Sequence, residues 1–160
     1  MNIRIIYLSI SFIILSCISK GNETEYIEFQ HECPIKRISD KIVIKIIPSP
    51  KRYNKERIIE LNYHGKLYTK LINEEDYKKI VNSIMQINES EVKTLEEFNE
   101  GEKPVHISHT DGGFNVIEYR KGKLLKKYLS QTLKKEDNNS FYNASLLITK
   151  AVGLDVHDIK

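Results

Sequence analysis

The segment from Arg57 to Ile72 reads RIIELNY, then His64-Gly65, then KLYTKLI. Two runs rich in β-branched and aromatic residues, joined by two residues, describe a β-hairpin with a tight turn. In the second run Leu67, Thr69 and Leu71 share one face, and Lys66, Tyr68 and Lys70 share the other. That alternation suits a sheet with one buried face. A helix follows directly. Asn73 is placed to cap it, Glu74, Glu75 and Asp76 put negative charge where the dipole favours it, and Tyr77, Ile80, Val81, Ile84 and Ile87 recur at helical spacing.

The same order returns further on. Val105–His109 and Phe114–Tyr119 read as strands joined across Thr110-Asp111-Gly112-Gly113, and Lys123–Leu129 as a third. Residues 130–140 form a polar loop. Phe141, Ala144, Leu147, Ile148, Ala151 and Val152 then make a helical stripe ended by Gly153. Gly65-Lys66-Leu67 matches Gly122-Lys123-Leu124, which suggests a weak repeat of hairpin followed by helix. Upstream, Tyr26–His31 reads as a first strand, and Lys41–Ile47 as another that stops at Pro48-Ser49-Pro50. The elements predict an α+β class: an antiparallel sheet of about six to seven strands with two helices on its apolar face.

At 160 residues, with 40% hydrophobic and 29% charged side chains, the chain has the length of one domain and the means to build a core. A formal charge of +3 gives no reason to expect nucleic acid as a partner. Two cysteines make neither a disulfide scaffold nor a four-cysteine zinc site.

The first residues, MNIRIIYLSISFIILS, carry Arg4 as their single charge, and Ile5–Leu15 is apolar apart from Ser9 and Ser11. Such a run is short of the roughly 20 residues that span a bilayer and fits a secretory signal. It ends Ile14-Leu15-Ser16-Cys17, which resembles the lipobox of bacterial lipoproteins, although many lipoboxes carry a smaller residue where this chain has Leu15. The resemblance implies cleavage before Cys17, lipid on Cys17, and a place in the cell envelope facing periplasm or exterior. On that reading residues 1–16 are a signal peptide, 17–25 an anchor and polar tether, and 26–160 a single domain.

Three constellations bear on chemistry. His31 and Cys33 lie two apart on a strand, where a histidine can lower a thiol pKa, but no third group completes a catalytic set. His106, His109 and Asp111 are zinc ligands in kind, yet positions three apart on a strand diverge, and Asp111-Gly112-Gly113 is accounted for by turn chemistry. His157-Asp158 is weaker still. Arg120, Lys121, Lys123, Lys126, Lys127, Lys134 and Lys135 form a basic stretch that contrasts with the acidic residues 89–102. These two stretches either meet a partner, with Tyr119 and Tyr128 as anchors, or form solvated faces that partly neutralise each other.

Nucleotide and hydrolase motifs are absent: no H-E-x-x-H, G-x-S-x-G, G-x-G-x-x-G or P-loop occurs. The expectation is therefore a lipid-anchored, non-catalytic binding module needing no cofactor. Its protein partner would meet Arg120, Lys121, Lys123, Lys126, Lys127 and Tyr128, as in an immunity or inhibitor protein. A small metal- or thiol-dependent envelope hydrolase is the alternative.

Overall fold

A computed structural model of the chain describes residues 25–32, 41–49, 56–94, 114–156 and 159. The strands are β1 (Glu25–Glu32), β2 (Ile42–Pro48), β3 (Arg57–Tyr63) and β4 (Lys66–Ile72), followed by helix α1 (Glu74–Met85). A two-residue β5 (Lys93–Thr94), β6 (Phe114–Lys121), β7 (Leu124–Ser130) and helix α2 (Asn139–Val152) complete the order. The strands form one sheet in the order β4-β3-β2-β1-β6-β7-β5, and all neighbours run antiparallel. This is the expected α+β architecture. The expected strand Val105–His109 lies outside the described residues.

Period-two burial decides which face the helices cover. Ile27 and Phe29 of β1, Ile42, Ile44 and Ile46 of β2, and Ile59 and Leu61 of β3 all point to one side. Ile117 and Tyr119 of β6 and Tyr128 of β7 continue that layer. Against it pack Tyr77, Ile80 and Ile84 of α1 and Phe141, Ala144 and Ile148 of α2, so both helices and the sheet share one core.

Both helices begin on a side-chain cap. Asn73 Oδ1 accepts from the Asp76 N–H at 2.8 Å, and Asn138 Oδ1 from the Phe141 N–H at 3.1 Å. α2 ends at Gly153, whose φ of 82° lets the chain turn left-handed, and Leu154 N–H closes back onto Thr149 O at 3.0 Å.

The two tight hairpins are built differently. His64 and Gly65 both have positive φ, 51° and 73°, as a type I′ turn requires. In the second hairpin Lys121 pairs with Leu124, and Gly122 alone has positive φ, as in a type II′ turn. The glycine therefore sits second in one turn and first in the other. The alignment of Gly65 with Gly122 is one residue out of step with the strand pairing, and β7 begins at Leu124 rather than Lys123. Within the acidic stretch after α1 a short strand forms: β5 pairs with the outer edge of β7.

The largest departure concerns β4. Its alternation is as expected, but its register against β3 sets Tyr68 opposite Leu61 and Lys70 opposite Ile59, on the helix side. Leu67 and Leu71, the apolar set and the natural one to bury, therefore face away from the helices, 67% and 54% exposed. The two-residue His64-Gly65 turn sets this facing: it puts Lys66 opposite Tyr63, so Lys66, Tyr68 and Lys70 share the face of Ile59 and Leu61, where Lys70 Nζ donates to Ala151 O at 3.3 Å.

Candidate functional site

Three lysines of the basic stretch are committed within the fold. Lys127 Nζ lies 3.2 Å from Glu118, Lys126 pairs with Glu89, and Lys121 Nζ is 3.5 Å from Glu25. The Lys126–Glu89 pair joins the basic and acidic stretches directly. Arg120 and Lys123 are exposed at the β6–β7 turn. Tyr128 is a correction: its pairing with Ile117 turns it to the helix side, where it is among the largest fully buried side chains. Tyr119 is buried in the same layer. Neither ring is available to a partner of the folded chain.

Cys17, Cys33, His106, His109, Asp111, His157 and Asp158 lie outside the described residues. His31 is buried on the helix side of β1. Asn115 Nδ2 donates to Ser130 O at 3.3 Å, so its Oδ1 is left to accept from His31 Nδ1 at 2.8 Å. That chain ties β1 to β6 and β7. Among the described residues no group of three His, Cys, Asp or Glu side chains is placed to hold a metal ion. No helix among them is long and apolar enough to cross a membrane.

At the opposite end of β1 lies a polar hub. Glu25, read from sequence as the last residue of the tether, is the first of β1, and its carboxylate is 14% exposed. It accepts from Tyr77 OH at 2.9 Å and from Tyr119 OH at 3.4 Å, and Arg57 Nη2 donates to it at 3.3 Å. Arg57 also lies over the Tyr77 ring, 4.5 Å from its centroid, with Nε 3.7 Å from Glu74. The hub joins β1, β3, β6 and α1. Its signal was in the sequence, since Glu25 belongs to the same period-two set as Ile27, Phe29 and His31.

The tyrosines of this framework titrate late. Burial, then the Glu25 hydrogen bond and charge, push Tyr77 up; burial and the Glu25 charge do the same to Tyr119. On the opposite face the hydrogen bond that Tyr26 donates to Glu118, with burial, lifts Tyr26 to about 12. Burial pushes the Glu118 carboxyl up, but hydrogen bonds from Tyr26 and Lys127 outweigh it and hold the group below its ordinary value.

The signs follow by linkage. A phenol raised in the folded state contributes stability that is complete below its unfolded pKa of about 10 and is lost as pH rises toward the folded value. A lowered carboxylate contributes stability above about pH 4.3 that is lost on acidification. Thermal unfolding temperature should therefore fall as pH rises from about 10 to 12, and Tyr26→Phe should make that fall shallower. An unchanged slope in the variant would remove Tyr26 from the account.

The surface with the strongest claim to function is β4. It stands at the edge of the sheet, and no described strand pairs with its outer side. Leu67, Leu71 and Tyr68 are more than half exposed along it. A two-residue turn closed by Tyr63 and Lys66 directs the amides of residues 66, 68 and 70 to β3, leaving those of 67, 69 and 71 pointing outward. Where β4 meets the helices a groove of about 480 Å³ opens, lined by Ile80, Leu147 and Ala151 and by the charged side chains Lys70, Asp76, Lys79 and Lys150.

The chain matches no family model, no curated protein and no solved structure.

Proposed function

We propose that the protein is a lipoprotein of the bacterial envelope, anchored through Cys17, whose domain is a non-catalytic binding module for another envelope protein. Immunity and inhibitor proteins act in this way. The observation that carries the reading is β4: an edge strand with outward-pointing amides, exposed leucines on one side and lysines on the other. Such an edge accepts an added strand, with main-chain bonds supplying affinity and alternate side chains specificity.

Its chemistry selects the strand. Positions beside Leu67 and Leu71 favour apolar side chains. Positions beside Lys66 and Lys70 favour carboxylates. The partner segment is therefore extended, apolar at alternate residues and acidic between them.

A synthetic peptide with valine and glutamate alternating tests this by fluorescence anisotropy, against the same peptide with lysine for glutamate. The glutamate peptide should bind and the lysine peptide should not. Leu67→Lys with Leu71→Lys should weaken binding at least about tenfold while leaving the fold intact, as both side chains are more than half exposed. Equal binding of the two peptides, or indifference to the leucine changes, would sink the proposal. Sedimentation at the same concentrations adds a check: a dimer that the peptide does not dissociate would mean that β4 pairs with itself.

A further inference from the structure

Glu25 opens β1 and pairs with Lys121 at the end of β6. Residue 25, the first described residue, therefore stands beside the β6–β7 turn. Arg120, Lys121 and Lys123 are exposed there, next to Leu124, which is 39% exposed. Arg120 belongs to the face away from the helices and Lys121 to the helix side, with Lys123 in the turn between the strands. Cations thus flank the hairpin tip on both sides. The acids at this end are already engaged. Glu25 faces both Arg57 and Lys121, Glu74 faces Arg57, Glu118 faces Lys127, and Glu75 and Asp76 face Lys79.

We infer that the β6–β7 tip is a membrane-contact site, with Arg120 and Lys123 resting against anionic lipid headgroups beside the anchor. The inference rests on the lipoprotein reading. A fully extended chain reaches at most about 3.5 Å per residue, so the tether from Cys17 to Glu25 holds the tip within roughly 30 Å of the surface. Headgroup attraction acts over a Debye length of about 8 Å, and each basic side chain inside that distance strengthens contact about fivefold. Leu124 adds an apolar side chain at the same corner. β4 lies five strand spacings from β7, roughly 24 Å across the sheet. Membrane contact at this corner therefore leaves open the part of β4 toward Lys66, at the opposite end of the strands.

The test uses the full chain, processed and reconstituted into vesicles, with mass spectrometry of the Cys17 peptide and lysine acetylation by a membrane-impermeant reagent. Lys66, at the far end of the sheet, is the internal reference. In vesicles containing phosphatidylglycerol, labelling of Lys123 should fall at least about fivefold relative to Lys66 and return at high salt. In phosphatidylcholine vesicles it should not fall. Arg120→Glu should abolish the protection of Lys123. Acylated Cys17 with equal labelling in both vesicle types overturns the membrane contact alone. Cys17 without acyl chains overturns the lipoprotein reading and this inference with it.

Discussion

Phe29→Ala should destabilise the domain by about 3–5 kcal/mol, whereas Leu71→Ala should cost less than about 0.5 kcal/mol. Both remove a large apolar side chain from a strand of the same sheet. β1, however, has a paired strand on each side, and Phe29 stands level with Ile44 of β2 and Ile117 of β6, all three fully buried beneath the helices. Ladders on both flanks hold the backbone, so the site cannot collapse onto the lost ring, and the cavity adds to the lost transfer energy. Leu71 is on the opposite face of an edge strand and more than half exposed. Urea unfolding measures both changes as shifts of midpoint at constant slope. Equal losses would mean that the leucine face of β4 is covered in solution.

The second large effect belongs to the hub. Glu25→Ala should destabilise by about 2–3 kcal/mol, toward the lower end for a broken buried pair because Glu25 and Arg57 keep 14% and 18% of their side chains exposed. The loss arises from what remains behind. Arg57 keeps its charge with Glu74 as its remaining anion, and the Tyr77 and Tyr119 hydroxyls lose their acceptor. Glu25→Gln keeps an acceptor for the tyrosines and should recover part of the loss.

A double-mutant cycle with Arg57→Ala measures the coupling between the two groups. Coupling near zero would show that Glu25 acts through the tyrosines alone. The alkaline transition gives an independent reading: with Glu25 gone, the tyrosines facing it should titrate earlier than in the native protein.

Much of this fold is legible by eye. The hairpin bounds at Arg57–Tyr63 and Lys66–Ile72, the Asn73 cap, the helix stripe through Ile84 and the Gly153 stop are all local chemistry, and the structure has each where its residues indicate. The candidate site was less legible. The basic stretch 120–128 is conspicuous as sequence, but pairing decides its availability. Lys126 and Lys127 are matched by Glu89 and Glu118 from other strands and loops, and Tyr128 turns inward by its register with Ile117. The strand that does carry exposed apolar surface, β4, contains nothing that marks it as an edge.

By itself the sequence determined the α+β class, the order of hairpins and helices, and which residues of each strand share a side. Those follow from turn geometry, capping and a side-chain period of two, which act over a few residues. Tertiary structure alone decided which side of β4 the helices cover, that Glu25 and Arg57 meet, and which edge of the sheet stays open. Each of those depends on which strands separated along the chain lie side by side and which face of the sheet the helices cover, and β4 takes its facing from β3 through their register whichever of its own side chains are apolar.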